Sequence, residues 1–217
     1  MSVLILREVA LRVSAETKAE TRQRILDAAR QLFASRGYEA ATTRDIADAA
    51  GIANGTLFNY FANKEAILAS LVAAVAARIH TDAENRGLED GSFEEALFAF
   101  VAAGLRALKP WRKQLPILLE TVLNPLTIAP ADDAQAMRLT HLETVARLAK
   151  HHGLGDLPAM ALQLYWTLHI GVLMFWAQDA SPRQEDTLAL LDSSLAMFTG
   201  WLQPQTESPS QTEKGGA

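Results

Sequence analysis

Cysteine is absent from the 217 residues of this chain. Neither a disulfide framework nor a thiolate metal site is therefore possible. The absence also fits a reducing compartment, and the cytoplasm is the location that we expect.

Catalytic motifs are missing as well. The chain contains no G-x-S-x-G, no H-E-x-x-H and no glycine-rich phosphate loop. The pair His151-His152 does not suggest a metal site, because adjacent residues on a helix point in different directions. We therefore expect no enzyme, no catalytic residue, no metal site and no cofactor.

Basic residues are in short supply. The chain has 20 Lys and Arg against 25 Asp and Glu, a net charge of −5, which by itself argues against binding a polyanion. The acidic excess is unevenly distributed, because residues 18–68 carry seven basic and six acidic side chains whereas residues 69–217 carry eleven and seventeen. The first region can still bind nucleic acid, although with modest non-specific affinity.

Charge is missing altogether from residues 157–178, which read L-P-A-M-A-L-Q-L-Y-W-T-L-H-I-G-V-L-M-F-W-A-Q. The stretch is long enough to cross a bilayer. However, Gln163, Thr167 and His169 lie in its middle, and Asp179 follows it where a basic flank is expected. We predict a helix buried in a bundle or at a protein interface, with no membrane as partner. A membrane-associated protein is the less favoured alternative.

Residues 42–64 have the pattern of two short helices joined by a tight turn, T-T-R-D-I-A-D-A-A-G-I-A-N-G-T-L-F-N-Y-F-A-N-K. Thr42 and Asp45 have the spacing of a capping box. Gly51 can adopt the positive φ that ends the first helix. Leu57 and Phe61 lie four residues apart and are expected to anchor the second helix. With an amphipathic helix over residues 22–38 ahead of it, this is the arrangement of a helix-turn-helix unit.

The run from Thr21 to Leu68 resembles the DNA-binding domain of the TetR (tetracycline-repressor-like) family of transcriptional regulators. It reads T-R-Q-R-I-L-D-A-A-R-Q-L-F-A-S-R-G-Y-E-A-A-T-T-R-D-I-A-D-A-A-G-I-A-N-G-T-L-F-N-Y-F-A-N-K-E-A-I-L. The resemblance is unbroken and specific, but it covers only roughly a quarter of the chain. The remainder is similar to the family only in length and helical pattern.

The resemblance implies a set of DNA-contacting residues, with double-stranded operator DNA as the partner. The set is Thr43, Arg44, Asn54, Gly55, Thr56, Asn59, Tyr60 and Lys64. Its chemistry is suitable, because hydroxyls and a lysine bind phosphates, arginine pairs with guanine, and asparagine pairs with adenine. Four positions depart from the usual family pattern: Ala53, Asn54, Phe58 and Asn59 replace residues that carry an additional donor or charge.

The resemblance also implies a C-terminal helical domain that binds a small molecule and forms a homodimer. The pocket is expected among helices near residues 93–108, 111–123, 132–152 and 157–178. Its candidate lining residues are aromatic, aliphatic or histidine side chains: Phe98, Trp111, Leu115, His141, Tyr165, Trp166, His169 and Phe175. Such a mixture is typical of ligand sites, which are mostly apolar with a few polar groups.

A regular apolar spacing predicts the dimer interface. Apolar residues recur three and four positions apart at Leu188, Leu191, Leu195, Phe198 and Leu202. This spacing is typical of a helix in a four-helix bundle. Together with the charge-free stretch, it would form the surface that joins two copies.

Residues 1–17 precede the family-like region. Arg7, Glu8 and Arg12 interrupt the apolar run that a signal peptide would need. We expect a disordered N-terminal extension or a start codon assigned too early. An arm that carries Arg7 and Arg12 to the DNA minor groove is the third interpretation.

The sequence thus predicts an all-α protein. We expect an N-terminal extension over residues 1–17, a three-helix helix-turn-helix DNA-binding domain over 18–68, a helical ligand-binding and dimerisation domain over 69–203, and a disordered tail over 204–217. The predicted function is a repressor that a small hydrophobic or amphipathic effector releases from a palindromic operator. The alternative is a helical small-molecule-binding or scaffold protein with little DNA binding.

Overall fold

The computed structural model describes residues 2–85, 91–123 and 132–206, and these ranges contain helices and no strand. The helices are α1 (Ser2–Arg36), α2 (Thr43–Ala49), α3 (Asn54–Leu57), α4 (Lys64–Asn85), α5 (Phe93–Leu108), α6 (Leu115–Leu123), α7 (Asp132–His151), α8 (Ala159–Gln178) and α9 (Glu185–Thr206). Short 3₁₀ helices precede α6 and α9, over Lys109–Gln114 and Pro182–Gln184. The predicted all-α class is confirmed.

The chain divides into two compact units, Met1–Leu71 and Val72–Ala217. We call them the N-terminal and the C-terminal unit. The division falls close to the expected boundary after residue 68. Helix α4 contains residues of both units.

In the N-terminal unit, α1 packs against α2, and α2 packs against α3. Ile25, Ala29 and Phe33 form the buried stripe of α1. This helix begins at Ser2, so the structure differs from the expected disorder of residues 1–17. The physical reason is that residues 2–17 contain neither proline nor glycine, the two residues that most weaken a helix.

The C-terminal unit is a bundle in which α5 and α8 pack against α9, α6 packs against α8, and α7 packs against both α5 and α8. Leu97, Phe100, Val145, Trp176 and Phe198 are among its buried residues. Helix α9 continues to Thr206, beyond the expected end of the domain at residue 203. The rest of the expected disordered tail lies outside the described residues.

The loop between α8 and α9 is fixed by one carboxylate. Asp179 accepts hydrogen bonds from the Ser181 backbone at 2.7 Å and from the Thr187 backbone and hydroxyl at 3.0 and 2.5 Å. Hydrogen bonds from Ser181 and Thr187 hold the pKa of Asp179 well below its usual value. Arg112 secures the other side of the loop, because its guanidinium donates to the carbonyls of Trp176 and Asp179.

Helix α8 is the one described helix that is long and apolar enough to cross a membrane, and 39% of its most apolar window is buried within the protein. Tyr165, Trp166 and Trp176 point into the bundle. Met174 and Phe175 on the same helix are 48% and 43% exposed. The expected burial of α8 therefore holds for one side of the helix.

The predicted dimer residues require a correction. Leu191, Leu195, Phe198 and Leu202 are buried within the protomer, with exposures of 1–3%. Their regular spacing packs α9 against α5 and α8 of the same chain, so these side chains are not available to a second copy. Of the predicted set, only Leu188 is exposed.

Other apolar side chains are exposed on α8 and α9. We call these residues the outer apolar face: Met160, Met174 and Phe175 on α8, and Leu190, Met197 and Trp201 on α9. The three residues of α9 are seven and four positions apart and therefore share one side of that helix. The apolar spacing of α9 predicts that one side of this helix is buried. It does not predict whether that side packs against helices of the same chain or against a second copy.

Candidate functional site

Helix α2 begins with the capping box that the sequence predicts. The Thr42 hydroxyl accepts a hydrogen bond from the Asp45 backbone N–H at 3.1 Å, and the Thr42 N–H donates to the Asp45 carboxylate at 2.9 Å. Hydrogen bonds from Thr42 lower the pKa of Asp45, and the nearby charge of Arg36 adds to the effect. The start of α2 is thus fixed by its own sequence.

The turn after α2 depends on a glycine and on a residue from α1. Gly51 has a φ of +68°, a conformation that L side chains rarely adopt. The Arg24 guanidinium donates a hydrogen bond to the Ala50 carbonyl at 3.2 Å, which satisfies one of the acceptors that a helix end leaves open. Sequence reasoning missed Arg24, because nothing in its local pattern distinguishes it from a surface arginine.

Helix α3 is only four residues long and is held by its buried side. Leu57 is 0% exposed and Phe61, just beyond the helix, is 4% exposed, as their spacing predicts. Ala53 stands at the N-cap and provides no side-chain hydrogen bond. The position of α3 therefore depends on packing more than on capping.

The predicted DNA-contacting residues lie at the surface of the N-terminal unit. Arg44, Asn54, Gly55 and Asn59 are exposed, and Thr43, Thr56, Tyr60 and Lys64 are half-buried. We call the first seven of these in chain order, from Thr43 to Tyr60, the helix-turn-helix face. In the described part of the chain, its side chains make no hydrogen bond or ion pair with another residue. Their donors and acceptors are available to a ligand.

Lys64 is arranged differently. Its ammonium group donates hydrogen bonds to the carbonyls of Tyr38 and Ala41 at 2.9 and 3.2 Å, and it lies 4.2 Å from the centre of the Tyr38 ring. The Tyr38 hydroxyl in turn donates to Glu65 at 3.1 Å. Lys64 therefore fixes the segment between α1 and α2, whereas the sequence suggested only a phosphate contact.

Phe58 interrupts the polar surface. It is 47% exposed and stands between Leu57, which is fully buried, and the exposed Asn59. An apolar ring at this place can contact the methyl group of a thymine or a sugar.

The C-terminal unit contains a cavity of about 90 Å³. Helices α4 to α8 contribute its lining: Val72, Ala76, Ile79, His80, Phe100, Val101, Gly104, Leu105, Leu108, Leu115, Leu118, Leu119, Met137, His141, Trp166, His169, Ile170 and Leu173. Four of the predicted pocket residues line it, namely Leu115, His141, Trp166 and His169. The structure thus brings half of the predicted set together.

The other predicted pocket residues lie elsewhere. Tyr165 is buried and hydrogen-bonds His141, but it does not line the cavity, and neither do Phe98 and Trp111. Phe175 is 43% exposed and belongs to the outer apolar face. On α5 the inward ring is Phe100, because the rotation of the helix turns Phe98 away from the cavity.

Three imidazoles lie close together in the wall of the cavity. The ring centres of His141 and His169 are 4.3 Å apart, and those of His80 and His141 are 5.5 Å apart. His80 comes from α4, and sequence reasoning missed it because it lies far from the other two in the chain. In the described part of the chain, no group of residues is placed to hold a metal ion.

Two of these imidazoles have a hydroxyl partner. His80 Nδ1 lies 3.1 Å from the Thr144 hydroxyl oxygen, and His141 Nε2 lies 2.9 Å from the Tyr165 hydroxyl oxygen. The Thr144 hydroxyl itself donates to the Thr140 carbonyl at 3.0 Å. It must therefore accept from His80, which identifies His80 as the Nδ1–H tautomer.

The third imidazole is not satisfied in the same way. His169 Nδ1 is buried and has no hydrogen-bond partner among the residues that the structure describes. Burial lowers the pKa of His169 to about 4, and the neighbouring His80 contributes. Burial also lowers the pKa of His141, and His169 and His80 add to that effect. Both rings are thus neutral at pH 7.

The sequence was compared with known protein families and with curated proteins. Residues 25–71 match the family described as bacterial regulatory proteins, tetR family. The HTH-type transcriptional repressor KstR of Mycolicibacterium smegmatis is 32% identical over 133 residues, which are 61% of this chain and 62% of that protein. KstR2 of Rhodococcus jostii is 51% identical over 51 residues, which are 24% of this chain and 25% of that protein. The chain therefore spans about three fifths of the length of KstR and a quarter of the length of KstR2.

Solved structures share the fold over most of the chain. The Thermus thermophilus FadR repressor, described in complex with lauroyl-CoA, has a TM-score of 0.65 and 22% identity, covering 90% of this chain and 100% of that chain. A TetR transcriptional regulator from Rhodococcus sp. RHA1 has a TM-score of 0.63 and 17% identity, covering 83% and 97%. At these identities the similarity concerns the fold alone.

Proposed function

We propose that the chain is a member of the tetR family of bacterial regulatory proteins, which its residues 25–71 match, and that it is a transcriptional repressor that a small molecule releases from DNA. The observation that carries the proposal is the helix-turn-helix face, whose hydrogen-bonding groups have no partner among the described residues. The relatives described as HTH-type transcriptional repressors match this part of the chain and support the same function.

The residues of the face have distinct roles in this proposal. Arg44 and Asn54 are exposed and carry the planar groups that pair with guanine and adenine edges. Thr43, Thr56 and Tyr60 are half-buried hydroxyl residues, which suits contact with phosphates at a fixed distance. Gly55 has no side chain and lets the backbone approach the DNA.

The protein acts as a homodimer in this proposal, and the outer apolar face is its contact surface. Met197 is 65% exposed and Met160 is 69% exposed, and both lie on the surface formed by α8 and α9. Apolar side chains grouped in this way mark interaction sites on soluble proteins. A two-fold dimer presents two helix-turn-helix faces, so the operator is expected to be palindromic.

Oligomeric state tests the contact surface. Met197→Asp places a charge at the most exposed apolar residue of α9, and we expect monomers by light scattering at micromolar concentration. Asp192→Lys changes an exposed charge on the opposite side of the same helix and should leave the dimer intact. A wild-type protein that is monomeric would contradict the proposal.

The effector occupies the cavity of the C-terminal unit. Its lining is almost entirely apolar, which supports a hydrophobic or amphipathic molecule. At about 90 Å³ the closed cavity is smaller than sites that hold drug-sized ligands, which measure roughly 300–1,000 Å³. A larger effector therefore has to widen it.

Helix α4 is the element through which the effector would act. Its first turn carries Lys64, which holds the Tyr38 and Ala41 carbonyls, and its later turns provide Val72, Ala76 and His80 to the cavity. An effector that moves these later turns changes the helix that also fixes the DNA-binding unit. Release requires tighter binding of the effector to the DNA-incompetent state, because equal affinity shifts nothing.

Selection of bound fragments from genomic DNA, followed by a gel shift with the selected fragment, tests the function. We expect binding that weakens with salt and that selects a palindrome. Operator DNA should also weaken effector binding by the same factor by which the effector weakens DNA binding. Absence of any selected sequence would overturn the proposal.

A helical small-molecule-binding protein with little DNA binding is the second candidate. The observation that favours it is the scarcity of available cations near the helix-turn-helix face, since Lys64 is engaged within the unit. Binding of the effector without any sequence-selective DNA binding would support this candidate.

A further inference from the structure

The cavity has one polar region in an apolar wall. Among the described residues that line it there is no carboxylate, lysine or arginine, and apart from the Trp166 indole N–H the polar side chains are the imidazoles of His80, His141 and His169. An occupant therefore meets mainly aliphatic and aromatic carbon, with hydrogen-bonding nitrogen grouped at the three histidines.

The hydrogen bonds of this cluster are unevenly distributed. His80 and His141 each bond to a hydroxyl of the protein, Thr144 and Tyr165 respectively. His169 lies against His141, with ring centres 4.3 Å apart, but its buried Nδ1 has no hydrogen-bond partner in the described ranges of the chain. Because an unsatisfied buried polar atom is costly, such atoms in folded proteins usually have a ligand or an ordered water as partner.

The charge state of the cluster restricts what that partner can be. Burial keeps His169 and His141 neutral at pH 7, since it lowers the pKa of His169 to about 4 and lowers that of His141 as well. A carboxylate or phosphate bound at His169 would lose its hydration, and neither His169 nor His141 would provide a cation to it. A neutral oxygen loses less hydration free energy. A hydroxyl can bond to either tautomer of the His169 imidazole, because it both donates and accepts a hydrogen bond.

We propose that the cavity widens around an uncharged, mainly apolar molecule, and that the single hydroxyl or carbonyl oxygen of this molecule then forms a hydrogen bond with Nδ1 of His169, which has no accessible surface before the molecule binds. This inference rests on the part of the proposed function that makes the cavity the effector site. It adds the chemical class of the effector and the atom that recognises it. Carboxylic acids, and thioesters that carry a charged group, are expected to bind poorly at His169.

Small ring compounds are suitable probes, because an engineered apolar cavity of roughly 150 Å³ in another protein admits benzene and this cavity is about 90 Å³. The probes are cyclopentanol, cyclopentanone, methylcyclopentane and cyclopentanecarboxylate. Trp166 lines the cavity, so its fluorescence reports occupancy in the full-length protein.

The decisive variant is His169→Phe, which keeps an aromatic ring and removes the nitrogen. We expect it to weaken cyclopentanol or cyclopentanone about five- to tenfold and to change methylcyclopentane by less than twofold, which is the range of one hydrogen bond. Cyclopentanecarboxylate should bind more weakly than the alcohol to the wild type. His151→Asn removes an exposed imidazole outside the cavity and should change none of the four affinities.

A second measurement does not depend on the folding of a variant. With ¹⁵N-labelled histidine in the wild-type protein, cyclopentanol should shift the Nδ1 resonance of His169, and methylcyclopentane should shift it much less. Equal effects of the two probes, or tightest binding by the carboxylate, would overturn the inference.

The outcomes separate this inference from the proposed function. If the probes bind and His169→Phe weakens all of them alike, the recognition of a neutral oxygen is wrong while an effector cavity remains. If no probe changes the fluorescence or the histidine resonances, both this inference and the effector site fail. Sequence-selective DNA binding of the same preparation, measured by gel shift, tests the repressor function independently.

Discussion

The helix-turn-helix face and the cavity are opposite kinds of site. The face consists of exposed and half-buried residues from 43–60, a single short stretch of the chain. The cavity is apolar, and its three histidines come from α4, α7 and α8, as far apart in sequence as His80 and His169. The polar groups of the face form hydrogen bonds with water until a partner replaces the water. The buried nitrogen of His169 has no access to bulk water.

In the proposed function, the two sites would therefore recognise their partners differently. At the exposed face, each side chain would contribute modestly, and the whole set would select the partner. In the cavity, one unsatisfied atom would select the chemical class of the ligand, because the protein interior does not compensate for a mismatch. Substitutions at the two sites should therefore differ in what they change.

The largest expected effect is on the free energy of unfolding, and it comes from comparing a buried with an exposed residue of the N-terminal unit. Leu57→Ala removes a fully buried anchor and should lower the free energy of unfolding by about 2–5 kcal/mol and abolish DNA binding. The adjacent Phe58→Ala truncates a side chain that is 47% exposed and should change stability by less than about 0.5 kcal/mol. Urea denaturation followed by circular dichroism measures both, and equal losses would contradict the structure.

The pH dependence of stability tests the neutral cavity. The pKa of His169 falls from 6.5 in a model peptide to about 4 on folding, so the unfolded chain takes up a proton that the folded protein resists. The stability that depends on the neutral ring is complete above pH 6.5 and is lost as the pH falls toward 4, by about 3–4 kcal/mol.

His169→Phe should flatten this part of the curve in urea denaturation at pH 7, 5.5 and 4.5. Leu173→Val, which alters an apolar residue of the same cavity, should lower stability at every pH and keep the slope. If His169→Phe has the wild-type slope, the imidazole is not a neutral buried group.

A smaller effect is expected for the specificity of the face. Arg44→Ala should cost about 1–3 kcal/mol of operator binding and relax the preference at one position in each half-site. Arg44 is exposed and forms no hydrogen bond or ion pair among the described residues, so folding stability should change little. Gel shifts with base-substituted operators test this, and uniform weakening on all sequences would mean that Arg44 binds only phosphate.

The smallest expected effect is that of substituting Lys64. Its sequence position suggested a phosphate contact, whereas its hydrogen bonds suggest a role in stability. Lys64→Met keeps the length of the side chain but removes donors to the Tyr38 and Ala41 carbonyls. We expect a loss of about 1–2 kcal/mol in unfolding free energy and little change in the salt dependence of DNA binding. A salt slope reduced by about one would show instead that Lys64 contacts a phosphate.

The sequence by itself determined the local elements. The capping box of Thr42 and Asp45, the positive φ of Gly51 and the burial of Leu57 and Phe61 all follow from residues within a few positions of one another. Such contacts depend on helix geometry, which is the same in any protein. The all-α class follows from the same regularity repeated along the chain.

Only the tertiary structure decided which faces meet. The leucine spacing of α9 was visible in the sequence, but the burial of Leu195 and Phe198 within the protomer depends on the placement of α5 and α8. The contact of Arg24 with Ala50, the engagement of Lys64 and the cluster formed by His80, His141 and His169 likewise join distant residues. A periodic pattern predicts that one face of a helix is buried. The fold determines which element packs against that face, because packing partners depend on the whole chain rather than on neighbours in sequence.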